Sequence, residues 1–243
     1  LIRIDMSEFA EGFNISKLIG SPAGYVGYKD SNNLTDKVRR RPYSIVLFDE
    51  IEKAHPQVYN LLLQILEDGH LTDAAGKNIN FKNSIIIMTS NIGSDEFNKK
   101  AILGFAPRSK KDEKRAKNEF EDTKKNVLEK LSKFFKVEFL NRIDKVIVFS
   151  PLSVLAIEKI VEIHLKRLAA KLKEKSINLV YEKEVIEYLT KKSSMKNLGA
   201  RAVRKNVLEY IENPVAEKIL TENSWVDSKK LQVKVIRDTI AIE

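Results

Sequence analysis

The chain contains no cysteine. Disulfides, thiol nucleophiles and cysteine metal sites are therefore excluded. Its three histidines, His55, His70 and His164, stand far apart and show no metal-ligand spacing. No run reaches the ~18 apolar residues that a membrane-crossing helix needs. Leu1 opens no charged-then-apolar leader pattern, so a cytosolic setting, or a cytosol-like organelle lumen, is expected. Acidic residues are outnumbered: 43 Lys and Arg stand against 34 Asp and Glu, for a net charge of +9. Residues 108–136 hold 11 of the basic and 6 of the acidic side chains, so +5 of the excess is local. Nucleic-acid binding is one reading of such a patch. A solvated insertion is the other, and it is favoured because exposed aromatics are not interleaved with the charges.

What is present is enough for a sizeable core: 243 residues, 43% of them hydrophobic. Four apolar strand candidates occur, at Leu1–Ile4, Ser44–Phe48, Ser84–Met88 and Lys145–Phe149. Helical patterns separate them, with Val58, Leu61, Leu62, Ile65 and Leu66 marking one helix that starts near Pro56. Phe120, Val127, Leu128, Leu131, Phe134 and Phe135 mark another, after a charged loop at Arg108–Lys117. Strands alternating with helices predict an α/β fold with a parallel, helix-covered sheet. The pattern changes at Pro151. A long amphipathic helix runs from Val154 to Leu172, with His164 packed on its apolar side. A strand at Ile177–Tyr181, helices at Glu184–Lys192 and Ala200–Leu220, and a strand at Leu231–Ile236 follow. Two units are expected: residues 1–150, carrying the parallel sheet, and residues 151–243, small and mostly helical with short strands.

Within the first unit, Ser44-Ile45-Val46-Leu47-Phe48 reads as a buried parallel strand that ends in Asp49 and Glu50. Open α/β sheets bind ligands at the carboxyl ends of their strands. Paired acids there suit nucleotide hydrolysis: Asp49 can hold Mg²⁺ through its hydration shell, and Glu50 can polarise the water that attacks the γ-phosphate. A strand that simply ends in a polar turn is the alternative, and the surrounding sequence decides between them.

That sequence is Arg39-Arg40-Arg41-Pro42-Tyr43, then the strand, then Asp49-Glu50-Ile51-Glu52-Lys53-Ala54-His55-Pro56. It closely resembles the Walker B region in the second ATPase ring of the Clp-type AAA+ unfoldases. Further blocks match in order across essentially the whole chain. Arg3–Phe9 resembles the segment after the family's second core strand. Gly24-Tyr25-Val26-Gly27-Tyr28 resembles its substrate-gripping pore loop, in which glycines give an exposed aromatic backbone freedom to swing. Thr89-Ser90-Asn91 resembles sensor 1, Phe139–Asp144 the arginine-finger box, and Gly199-Ala200-Arg201 sensor 2.

The resemblance implies an AAA+ core and an ATPase of Mg²⁺ and ATP, working as a homo-hexameric ring on unfolded or tagged proteins. It implies roles by position. Glu50 is the catalytic carboxylate. Asn91 bonds the γ-phosphate and the attacking water. Arg142 reaches the nucleotide of the neighbouring subunit, Arg201 contacts the phosphates in cis, and Tyr25 with Val26 grips polypeptide. Nucleic acid is then not an expected partner. Ile102-Leu103-Gly104-Phe105 resembles the loop by which ClpC, ClpA and ClpX dock on the Clp peptidase. A peptidase-coupled unfoldase is therefore the first reading, and a ClpB-type disaggregase the alternative.

There are departures. No G-x-x-x-x-G-K-[ST] occurs, although the family's Walker A loop has that form and precedes the segment matching Leu1–Phe9. The sequence therefore reads as beginning just after that loop and the central strand before it, and without the loop it is not expected to hydrolyse ATP alone. His70 stands where arginine is usual in the second pore loop, Ala202-Val203 where Pro-Leu is usual, and Lys136-Val137 where Arg-Pro is usual.

Overall fold

A computed structural model describes residues 1–20, 33–101, 110–194, 199–221 and 230–243, with backbone alone at 98–101 and 110–117. The pore-loop residues Gly24–Gly27 and the docking residues Ile102–Phe105 lie outside the described residues. The chain divides into two compact units, Leu1–Phe97 with Glu119–Val148, and Asn98–Asn118 with Phe149–Glu243.

The first unit is built on three parallel strands, β1 (Ile2–Asp5), β2 (Ile45–Asp49) and β5 (Ile85–Met88), in the order β1-β2-β5. The register sets Ile4 beside Phe48 and Val46 beside Ile86. Side chains alternate between the two faces of a strand, so Ile4, Val46, Phe48, Ile86 and Met88 share one face. That face carries the core: Val46 and Phe48 are almost wholly buried, together with Met6, Leu62 and Val58. Burying Phe48 and Leu62 contributes about 1.5–3 kcal/mol each. The opposite face stays open, with Ile85 at 61% exposure and Ile87 at 43%. The continuous apolar run of β2 predicts burial on both faces, so the structure corrects that expectation on one of them.

Short helices α1 (Ser16–Ile19) and α2 (Leu34–Arg40) lie between β1 and β2. The Asn33 side chain caps α2 by accepting from the Asp36 N–H. Helix α3 (Pro56–Asp68) starts with proline in its first turn, where the missing N–H costs nothing, and ends on Gly69 in the left-handed conformation. A hairpin of β3 (His70–Thr72) and β4 (Asn78–Asn80) follows it. Helices α4 (Ser94–Ala101), α5 (Lys110–Phe134) and α6 (Val137–Asn141) complete the order. Tyr59 of α3 meets Phe135 edge-on at 5.6 Å and Phe139 at 5.7 Å, which ties α3 to the α5–α6 corner.

Two expectations change here. Lys145–Phe149 is not a strand. A strand needs a hydrogen-bonded neighbour, and no strand among the described residues pairs with it. Phe149 is 84% exposed and Ile147 63%. Residues 110–117 are helical, not loop. Lysine, arginine, glutamate and alanine are good helix formers, and their charge reports solvent contact, not backbone conformation.

The second unit joins helices α7 (Val154–Lys173), α8 (Lys183–Ser194), α9 (Ala200–Val207) and α10 (Asn213–Thr221) with strands β6 (Asn178–Tyr181), β7 (Lys230–Ile236) and β8 (Thr239–Ile242). The β6–β7 pair is parallel and β7–β8 antiparallel. Val161, Leu165, Leu189, Val203, Ile211 and Val233 are fully buried in its core, and His164 is half-buried. The helix read from Ala200 to Leu220 is interrupted by a π-helical turn at Leu208–Glu212. Pro214 cannot donate to the preceding turn, and the wider turn absorbs the missing bond.

Candidate active site

The carboxyl ends of β1, β2 and β5 bring the acidic residues and the polar loop after β5 together. Asp49 is the last residue of β2, in register with Asp5 of β1. Its Oδ2 accepts from Arg3 Nε at 3.2 Å and Nη2 at 2.5 Å, and its Oδ1 accepts from the Thr89 hydroxyl at 2.5 Å. The Ser7 hydroxyl and main-chain N–H hold Asp5 below the usual carboxylate range.

Glu50 turns the chain sharply. Its backbone is left-handed, with φ 57° and ψ 54°, and it opens the short 3₁₀ turn Ile51–Lys53. A residue with a Cβ in this region carries strain of order 1 kcal/mol. The strain is held by the neighbouring loop. The Glu50 N–H donates to Thr89 Oγ1 at 3.0 Å, and the Ile51 N–H donates to the Thr89 carbonyl at 2.9 Å. The Asn91 amide donates from Nδ2 to Glu50 Oε1 at 3.2 Å, and Lys53 Nζ pairs with Glu50 Oε2 at 2.5 Å. That hydrogen bond to Glu50, reinforced by the carboxylate's charge, raises the Lys53 ammonium above its ordinary value. Glu52, within the same turn, accepts the Asn91 main-chain N–H at 3.0 Å. Tyr59 closes the floor by donating from its hydroxyl to the Ile51 carbonyl at 3.0 Å. Burial, with the Glu52 charge behind it, holds that hydroxyl above its usual range.

The structure thus gathers Asp49, Glu50 and Asn91. It places Arg142 elsewhere in the same unit, just after α6, in an ion pair with Glu67 of α3. Arg201 lies in the first turn of α9, exposed, next to Gly199 at φ 56°. Sequence reasoning gave no role to Thr89, Glu52, Lys53 or Arg3. Thr89 stands beside Asn91 in the block that resembles sensor 1, and Glu52 and Lys53 stand within the block around Glu50. Their place in those blocks was the available signal.

Among the described residues no group of three or more His, Cys, Asp or Glu is arranged to hold a metal. A strand-end carboxylate such as Asp49 still fits Mg²⁺, which takes one or two protein carboxylates and completes its shell with water and phosphate oxygens. No described helix is long and apolar enough to cross a membrane.

Comparison with known proteins gives the family. The family model described as the AAA domain (Cdc48 subfamily) matches residues 1–146. That described as the C-terminal, D2-small domain of ClpB protein matches residues 152–233. The chain belongs to this family of AAA proteins, in its Clp branch. It is 40% identical over 243 residues to a probable ATP-dependent Clp protease ATP-binding subunit of Chlamydia pneumoniae, covering 100% of this chain and 28% of that protein. It is 47% identical over 220 residues to the mitochondrial chaperone protein ClpB4 of Arabidopsis thaliana, covering 90% of this chain and 22% of that one. The closed-state cryo-EM reconstruction of Hsp104 with ATPyS and FITC casein superposes with a TM-score of 0.82 at 35% identity, over 100% of this chain and 39% of that chain. The chain therefore spans about a quarter of the length of the two sequence relatives named here.

Proposed function

We propose that the protein bearing this chain is an ATP-driven protein unfoldase and translocase. The observation that carries the reading is the pairing of Glu50 with Asn91 at 3.2 Å beside Asp49, at the carboxyl edge of a parallel sheet. In this reading ATP is the substrate. Glu50 accepts a proton from the attacking water on its carboxylate, and the Asn91 amide fixes both that carboxylate and the water's line of approach. Asp49 holds Mg²⁺, which neutralises phosphate charge when bound. Thr89 aims Asp49 and Glu50 together, because its hydroxyl bonds to both. Arg142 acts on the nucleotide of a neighbouring subunit in a hexameric ring, and Arg201 on that of its own. Tyr25 and Val26, between Gly24 and Gly27, grip extended polypeptide. The test is Glu50→Gln in the whole protein. Hydrolysis is expected to fall at least about a hundredfold while ATP binding and ring assembly persist; hydrolysis within twofold of wild type would refute the assignment.

The same proposal extends to a Clp peptidase as partner. Support comes from Ile102-Leu103-Gly104-Phe105 and from relatives named as ATP-binding subunits of Clp protease. Relatives named ClpB favour the second reading, a disaggregase without a peptidase. Replacing Leu103 and Phe105 by serine separates the two. Under the first reading degradation with the peptidase is lost while ATP turnover and unfolding persist. Absence of any complex with a Clp peptidase would leave the disaggregase. A soluble compartment, cytoplasmic or organellar, goes with either reading.

A further inference from the structure

We infer that Glu52 is a positioning residue, whose task is to set Asn91 against Glu50. The inference rests on the reading of Glu50 and Asn91 given above. Three acids stand within the four residues from the end of β2, Asp49, Glu50 and Glu52, and the first two have assigned work. The third has one described hydrogen bond. Glu52 Oε1 accepts the main-chain N–H of Asn91 at 3.0 Å, across 39 residues of sequence, while Oε2 is buried with no hydrogen-bond partner among the described residues. Glu52 is half-buried, and burying its Oε2 without a partner is a cost that its one bond to Asn91 offsets. The bond is charge-assisted, which makes it stronger than a neutral one.

Its place explains what it does. Asn91 is the third residue after β5, on a loop that would otherwise set its own course. Its carbonyl accepts from the Ser94 N–H at 3.1 Å and its N–H goes to Glu52, so the main chain is fixed on both sides of the side chain. Only then does Nδ2 fall within 3.2 Å of Glu50 Oε1. Glu52 is itself rigid. It sits inside the 3₁₀ turn Ile51–Lys53, whose first residue donates its N–H to the Thr89 carbonyl and accepts the Tyr59 hydroxyl, and whose last donates its N–H to the Glu50 carbonyl. The turn that carries the reacting carboxylate thus also carries the arm that holds its partner, and the two cannot drift apart independently.

The test is a double-mutant cycle in ATP turnover of the whole protein, with Glu52→Ala, Asn91→Ala and both together. Glu52→Ala is expected to lower kcat about tenfold and to leave KM within about twofold, because Asn91 is one γ-phosphate contact among several and its misplacement acts first on the attacking water. In the Asn91→Ala background the same change is expected to cost almost nothing. Glu52→Gln, which keeps an acceptor at Oε1, is expected to recover most of the rate. Glu52→Asp keeps the charge but shortens the arm and should be as slow as Glu52→Ala; it carries the test should the alanine variant fail to fold. Two independent losses that multiply in the double variant would overturn the inference. So would a slow Asn91→Ala beside an unchanged Glu52→Ala, with the reading of Asn91 left standing. A wild-type rate in Asn91→Ala would instead overturn that reading, and this inference with it.

Discussion

Gly93 is where the loop carrying Asn91 touches the body of the first unit, and Gly93→Ala should be costly for two separable reasons. The residue has φ +81°, a conformation in which a Cβ costs about 1 kcal/mol. An ideal Cβ there would lie 2.9 Å from Val127 Cγ2, 3.1 Å from Cγ1 and 3.2 Å from the Val127 Cα. The last is backbone of α5, so rotation of the valine cannot clear the contact. Val127 is 5% exposed and has no room to retreat. Overpacking of this kind costs about 1–3 kcal/mol. The expected total is about 2–4 kcal/mol, read from urea denaturation of the 243-residue chain by circular dichroism. A Val127→Ala background separates the two parts. There the methyl contacts vanish while the 3.2 Å contact with the residue-127 Cα stays, so the cost of Gly93→Ala should fall but remain somewhat above the conformational ~1 kcal/mol. An equal cost in both backgrounds would refute the packing term. A Gly93→Ala chain within about 0.5 kcal/mol of wild type would refute both terms. The loop that gives way starts two residues from Asn91, so turnover of the whole protein should drop with stability.

Three further outcomes follow from the proposed function. Mixed rings of Arg142→Ala and Glu50→Gln subunits should hydrolyse ATP faster than dilution of either parent allows, since some interfaces pair an intact Arg142 with an intact Glu50; rates no higher than dilution would rule out action in trans. The Glu67 partner of Arg142 should not interfere, because an ion pair with both side chains nearly half exposed is worth about 0–1 kcal/mol, and Glu67→Gln should change turnover less than about twofold. Tyr25→Ala should abolish unfolding of a tagged stable protein while ATP turnover persists; equal loss of both would mark a structural tyrosine.

The elements legible in the sequence were those with a strong period. The apolar spacing in α3 and α7 and the apolar runs of β2 and β5 each report a buried face, and the sheet and both large helices came out where those patterns lie. Failures occur where backbone and side-chain chemistry part company. Val146, Ile147 and Phe149 have strand-like composition, yet a strand is made by its neighbour, and composition cannot supply one. The hairpin strands His70–Thr72 and Asn78–Asn80 bury only Leu71 and Ile79, too few residues to leave a period. Charge at 110–117 concealed a helix because solvent contact says nothing about φ and ψ.

The site divides along the same line. Asp49 and Glu50 were read from paired acids at the end of an apolar run, and Asn91 from the block that resembles sensor 1; the structure brings the three side chains together. The left-handed backbone of Glu50 was not legible, since no residue type advertises it. That conformation organises the rest. It turns Glu50 out of the line of β2, so that Asp49 faces Arg3 and Thr89 while the Glu50 carboxylate meets Asn91 and Lys53. A glycine would adopt it without strain but would carry no carboxylate. The strain is therefore the cost of placing an acid there, and the bonds of Thr89 to Glu50 and Ile51 offset it. Loosening those bonds should cost rate before it costs fold, since the buried core of Val46, Phe48 and Leu62 does not depend on them.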